Sequence, residues 1–177
     1  MKKIITIEPF QYGFKDLFKK LNENLFGLAK NNRWNEYQEY CGISSVDYYL
    51  KKLDFTNLYD GVDERIELWK ISGKEIGLKG NVLYDELLQI LSKYKFSTAP
   101  HGTAFWIPIG LKRQEKILEE KLKILSDPIN NNESESYKTM GLSLNGNKSG
   151  LEIKCFELRR VETLFGLEDR FVVQRIN

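Results

Sequence analysis

Two apolar periodicities alternate along this chain, and they constrain its fold more strongly than any other feature of the sequence. Apolar residues spaced three and four apart predict helices over 14–30, 44–53, 83–94 and 111–125. Short apolar or alternating segments predict strands over 4–7, 65–71, 103–109, 137–144, 151–159 and 170–176. Short connections join the last strands, so the sequence predicts an α+β fold. It would have a mixed or mainly antiparallel sheet with about three to four amphipathic helices packed on it.

Capping and turn signals refine some of these boundaries. Asn81 is a helix-capping residue type, and the acids Asp85 and Glu86 suit the first turn of the helix that follows. After the strand over 65–71, a turn at Ser72–Lys74 predicts that 75–78 returns as a hairpin partner. A short helical piece is expected at 161–167, just before the final strand.

The length of 177 residues predicts a single domain spanning 1–177. A polar stretch at 126–136 predicts a mobile loop, the preferred site for proteolysis. We interpret it as an insertion within the domain, because the 41 residues that follow are too few to hold a stable core alone.

Composition excludes several classes of function. A formal net charge of +2 gives no global attraction to nucleic acid or membranes, so such a partner requires a local patch. Two cysteines and one histidine cannot supply the roughly four Cys/His ligands of a structural zinc site. No dinucleotide fingerprint or P-loop is present, so no cofactor is expected. The absence of a signal peptide or a long apolar run predicts a cytoplasmic protein without a membrane partner.

The single histidine lies in a loop-like stretch, STAPHGTAFWIPIG. A catalytic His101 would need a nucleophile and an orienting carboxylate, and no nucleophile motif occurs in the chain. We therefore interpret the stretch as a structured connector that leads into a strand, with Pro108 placing that strand near an edge.

The alternating segment GLEIKCFELRR suggests a second chemistry. On a strand, Glu152 and Lys154 project to the same face, which is half of the site of PD-(D/E)xK nucleases. The missing upstream acid would be Asp127. An ordinary solvent-facing strand carries the same Glu-x-Lys pattern, so the alternative is a pair of surface charges.

A basic region with interspersed aromatics extends from Lys93 to Lys123 and carries a local excess of +4. Basic side chains bind phosphates and aromatic rings stack on bases, so this region is a candidate nucleic-acid surface. Its proposed contacts are Lys112, Arg113, Lys116, Lys121 and Lys123. The alternative is a solvated helix surface with mixed charges.

An aromatic segment around 33–42 lacks a clean period and is rich in Tyr and Trp, residue types that anchor protein interfaces. The sequence thus favours a non-enzymatic intracellular protein that binds a protein partner, of the mobile-element or immunity-inhibitor kind. Its expected anchors are Trp34, Tyr37, Tyr40 and Trp106. Nucleic-acid binding and a metal-dependent nuclease centred on Glu152 and Lys154 remain the alternatives.

Overall fold

The computed structural model describes residues 1–11, 61–100, 102–110, 120–129, 140–147, 150–158 and 162–176. Its elements, in chain order, are β1 Lys2–Ile7, β2 Phe10–Gln11, β3 Gly61–Val62, β4 Ile66–Ser72, β5 Val82–Leu83, α1 Tyr84–Lys93, β6 Phe96–Ser97, α2 Thr103–Gly110, β7 Lys121–Ile129, β8 Met140–Asn147, β9 Gly150–Glu157, β10 Leu164–Phe165 and β11 Arg170–Arg175.

Strands dominate these residues, so the predicted α+β fold with about three to four helices packed on a sheet is wrong. Within the described ranges there are two short helices, α1 and α2, and most of the ordered backbone belongs to strands. The predicted helices over 14–30 and 44–53 lie outside the described residues. The single domain and the mobile loop at 126–136 stay predictions, although β7 includes residues 126–129.

One seven-stranded sheet organises the described residues. Its order is β1-β4-β11-β7-β8-β9, and β6 also pairs with β11. Pairing is antiparallel throughout except between β7 and β11, where Phe171 lies beside Lys123 in parallel register. Because β11 pairs with β4 along one edge and with β7 and then β6 along the other, it is the central strand of the sheet.

The face of the sheet covered by α1 holds a large apolar core. Register places Ile71 opposite Phe171 and Trp69 opposite Val173, so these four side chains share that face. Leu87 and Leu91 of α1 pack there with Phe96, Leu125, Leu158 and Phe165. Burying a large apolar side chain of this kind contributes about 1.5–3 kcal/mol. The opposite face carries α2, which lies against β1, β8 and β9.

The segment 103–109 was predicted to be a strand and forms the helix α2 instead. Ala104, Trp106 and Ile107 are all buried, which matches a largely apolar helix that packs into the fold. Gly102 permits this arrangement, because a Cβ atom there would come within 2.9 Å of the Trp106 indole nitrogen. Strand-like composition is therefore overridden by burial.

The predicted helix over 111–125 is also corrected, because residues 121–129 form β7. Lys121, Lys123 and Leu125 alternate with Leu122 and Ile124, and β7 obtains its backbone hydrogen bonds from β8 and β11. Leu122 and Ile124 are fully buried on one face of the strand. Residues 111–119 lie outside the described residues.

Three shorter predictions are also wrong. Residues 75–78 do not return as a strand, because they form a turn in which Leu78 N donates to the Gly73 carbonyl at 3.0 Å. The helix predicted to be capped by Asn81 begins after Leu83, where the Glu86 carboxylate accepts from Leu83 N at 3.1 Å. Within 161–167, Leu164–Phe165 form β10, which pairs with β5 rather than coiling into a helix.

Five longer strands and α1 confirm the prediction from periodicity, whereas the short strands β2, β3, β5 and β6 were not predicted. Strands were predicted and are found at Lys2–Ile7, Ile66–Ser72, Met140–Asn147, Gly150–Glu157 and Arg170–Arg175. Asp85 and Glu86 lie in the first turn of α1, where acids suit the helix dipole.

Candidate binding surface

The side chain of Arg175, at the end of the central strand, lies over two neighbouring aromatic rings. Its guanidinium carbon lies 4.9 Å from the ring centroid of Phe96 and 5.8 Å from that of Trp69. Its Nη1 donates to the Tyr94 carbonyl at 2.9 Å. Cation–π attraction and this hydrogen bond together fix the guanidinium orientation.

The turn after α1 brings Tyr94 to this position. Tyr94 N donates to the Leu91 carbonyl at 2.9 Å and Lys95 N to the Ser92 carbonyl at 3.0 Å, which ends the helix. Lys95 then adopts a left-handed backbone with φ of 59°, a conformation uncommon for residues other than glycine. Ile176 N donates to the Lys95 carbonyl at 2.9 Å, so the turn is fastened to the end of β11.

These elements form a mixed aromatic, apolar and cationic patch, here called the Trp69 surface and made of Trp69, Tyr94, Lys95, Arg175 and Ile176. Trp69 is half-buried and packs against Phe96, with ring centroids 5.9 Å apart and planes tilted by 59°. Tyr94 and Ile176 are 39% and 45% exposed, among the most exposed large hydrophobic residues described. Exposed apolar side chains and a fixed cation therefore occur together at this end of β11, although Ile176, as the residue after Arg175, projects from the opposite face of the strand.

The carboxylate next to the Trp69 surface is already neutralised. Lys3 Nζ lies 2.6 Å from a Glu67 oxygen, and the Trp69 indole N–H donates to the other oxygen at 3.4 Å. The hydrogen bond from Lys3 is the main reason that the pKa of Glu67 lies below its ordinary value. Lys95 and Arg175 are thus left without a carboxylate partner among the described residues.

A second charged cluster lies at the opposite end of β11. Glu120 bonds to both Lys70, at 2.7 Å, and Arg170. Burial would raise the pKa of Glu120, but the hydrogen bonds and charges of Lys70 and Arg170 hold it below its ordinary value. Nearby, Lys123 Nζ lies 2.6 Å from an Asp169 oxygen and 5.1 Å from the Phe165 ring centroid.

The structure divides the predicted basic region between these two ends. Lys93 and Lys95 belong to the Trp69 end, whereas Lys121 and Lys123 lie in β7 at the Glu120 end. In the sheet, Lys123 pairs with Phe171 of β11, and Phe96 pairs with Arg175. Phe171 and Arg175 are four residues apart along β11, so the two ends are separated by at least roughly 13 Å. The predicted contacts Lys112, Arg113 and Lys116 lie outside the described residues.

The proposed nuclease residues are only partly brought together. Glu152 and Lys154 lie in β9, where they pair with Asn145 and Ser143 of β8, respectively. Asn145 and Ser143 pair in turn with Lys121 and Lys123 of β7. Asp127, by contrast, lies six residues along β7 from Lys121, which corresponds to roughly 20 Å of strand. Asp127 thus lies several residues away from the backbone row of Glu152, and a metal site shared by the two stays a prediction. His101 lies outside the described residues.

The predicted protein-binding anchors fall in two groups. Trp34, Tyr37 and Tyr40 lie outside the described residues, so their role stays a prediction. Trp106 is only 3% exposed, and it belongs to the buried side of α2 rather than to an accessible surface. The sequence analysis missed Trp69 and Arg175, although a tryptophan in the alternating segment RIELWKI was a visible signal.

Comparison of the chain with protein-family models, with curated proteins and with solved structures finds no match. Among the residues that the structure describes, no group of three or more His, Cys, Asp or Glu side chains is placed to hold a metal ion. In the same ranges, neither helix is long and apolar enough to cross a membrane.

Proposed function

We propose that this chain is a binding protein that engages a protein partner through the Trp69 surface. The observation that supports this proposal is the contact of Arg175 with Trp69 and with the backbone of Tyr94 at the end of the central strand. Trp, Tyr and Arg are the residue types most enriched among the energetic anchors of protein interfaces. An inhibitor of the mobile-element or immunity kind would act in this manner, by covering its partner's surface.

Rigidity of the patch favours this function. Arg175 is oriented by two rings and a backbone carbonyl, so little side-chain entropy remains to be lost when a partner binds. The exposed side chains of Tyr94 and Ile176 add apolar area at the same end of β11. Binding then buries apolar surface around an anchor that is already positioned.

A matched pair of exposed aliphatic residues tests the proposal. Ile176, 45% exposed, belongs to the Trp69 surface, and Leu164, 52% exposed, lies in β10 outside it. Tagged wild type, Ile176→Ser and Leu164→Ser would be used to capture partners from the cells that make the protein, with quantification of each captured protein. We expect a partner retained by Leu164→Ser and reduced about tenfold by Ile176→Ser and by Tyr94→Ala. Equal capture by all variants would contradict the proposal.

Nucleic-acid binding is a second candidate, favoured by the cations at the Glu120 end. Lys70, Arg170, Lys121 and Lys123 lie there together with Glu120 and Asp169, and Lys121 is exposed. Contacts to phosphates release counterions, so binding of labelled DNA or RNA should fall steeply between about 50 and about 200 mM salt. Replacing Lys121 by Gln should reduce the salt slope by about one, whereas Ile176→Ser should leave it unchanged.

A further inference from the structure

The geometry points to a carboxylate-binding site at Arg175, which takes an acidic, partly apolar segment of the protein partner. This inference rests on the proposed function and adds the chemistry of the partner to it. It is carried by the contacts of the guanidinium, by nearby cations that form no ion pair within the described part of the chain, and by exposed apolar side chains at the same end of β11.

Arg175 is poised to donate more hydrogen bonds than it makes. A guanidinium has five N–H donors in a planar fork, and the Tyr94 carbonyl accepts from Nη1. The Phe96 and Trp69 rings lie next to the guanidinium carbon and accept no conventional hydrogen bond, and none of the described carboxylates pairs with the other N–H donors. A planar fork of this kind matches the two oxygens of a carboxylate.

The charges around Arg175 favour an anionic ligand. Lys93 and Lys95 are exposed at the end of α1 and form no ion pair with the described residues, while Glu67 is neutralised by Lys3. Among the residues that the structure describes, Lys93, Lys95 and the half-buried Arg175 thus have no compensating carboxylate. A complementary partner would carry carboxylates, and long-range attraction would speed its association.

The shape of the surface favours a peptide over a nucleic acid. Bases bind by stacking on open aromatic faces. Trp69 is half-buried, with Phe96 packed against it and the Arg175 guanidinium lying over its ring. The exposed large apolar side chains at this end of β11 are those of Ile176 and Tyr94. These suit apolar side chains alternating with carboxylates, as in an acidic peptide segment.

Three labelled probes test the inference by fluorescence anisotropy: a peptide of alternating Glu and Leu, its Gln–Leu counterpart, and a thymidine oligonucleotide. Wild type should bind the Glu–Leu peptide about tenfold or more tightly than the Gln–Leu peptide, because charge-assisted pairs are the stronger ones. Arg175→Lys should weaken binding several-fold, since lysine lacks the fork. Lys121→Gln, an exposed cation in β7, is the matched control and should bind as wild type does.

Arg175 also packs on two rings, so each variant needs a melting temperature. Arg175→Met keeps the aliphatic stem against Trp69 and Phe96 while removing the donors. If both Arg175 variants unfold, a double variant that carries Lys93→Glu and Lys95→Glu, both at exposed positions, replaces them. This double variant should no longer bind the Glu–Leu peptide more tightly than the Gln–Leu peptide.

Several outcomes would overturn the inference. They are equal binding of the two peptides, an Arg175→Met variant that binds the Glu–Leu peptide normally, tighter Arg175-dependent binding of the oligonucleotide, and no binding of the Glu–Leu peptide. If partner capture still depends on Tyr94 and Ile176 in these cases, the proposed function stands and only the acidic partner is refuted.

Discussion

Replacing Gly73 by alanine should destabilise the protein strongly, because the space beside its Cα is filled by backbone. A Cβ at this position would clash with the Gly166 carbonyl oxygen and lie 2.9 Å from both the Gly166 carbonyl carbon and the Leu167 Cα. No side-chain rotation relieves such a clash. The turn after β4 and the turn before β11 must separate instead.

The magnitude follows from what that separation breaks. Gly73 N donates to the Asp169 carbonyl at 3.0 Å, and Lys74 N donates to the Leu167 carbonyl at 3.0 Å. Two hydrogen bonds at about 1 kcal/mol each, plus overpacking strain of about 1–3 kcal/mol, give a loss of about 3–5 kcal/mol. For a chain of this length, the melting temperature should fall by roughly 6–20 °C.

Circular dichroism melting of Gly73→Ala beside Gly80→Ala provides the assay. A Cβ added at Gly80 would have no atom within 4 Å, so this replacement should leave the melting temperature nearly unchanged or raise it slightly. A Gly73→Ala protein that melts within about 2 °C of wild type, a shift of only about 1 kcal/mol or less, would refute the packing argument.

Two further substitutions test buried and charged contacts. Tyr84→Phe removes the hydroxyl that donates to the Ser126 carbonyl at 2.8 Å in a buried setting, so thermal denaturation should show a loss of about 1–2 kcal/mol. Glu120→Gln should cost about 0.5–1 kcal/mol at neutral pH, because Lys70 and Arg170 lose their shared carboxylate. Since the pKa of Glu120 is lowered in the folded state, that difference should be complete above its ordinary pKa of 4.5 and vanish as the pH falls through the lowered value.

Local periodicity predicted the strands whose partners and burial agree with their sequence pattern. It failed for β7 because residues 111–125 also carry apolar residues at helical spacing. What decides the conformation of 121–129 is pairing with β8 and, in parallel, with β11, which begins some forty residues later. Pairing with a strand so distant in the sequence cannot be predicted from the residues of β7 themselves. The tertiary contacts of β7 therefore override its helical periodicity.

The Trp69 surface was equally hidden from a local analysis. Its members come from β4, from the turn after α1 and from the end of β11, and Arg175 bonds to a carbonyl 81 residues away. Each residue is ordinary in its own segment. Basic and aromatic residues are interspersed from Lys93 to Lys123 in the sequence, but only the sheet order places Arg175 over Trp69 and Phe96.

The central strand connects the two charged regions while keeping them energetically separate. Arg170 and Arg175 lie at its two ends, and the fully buried residues 171–173 lie between them. Five residues of strand span roughly 16 Å, beyond the distance at which substitutions usually interact. The stability effects of changing Arg170 and Arg175 should therefore add, and a ligand at either end should leave affinity at the other unchanged. If ligand binding at one end changed the affinity at the other end, this would mean that β11 moves as a unit when a partner binds.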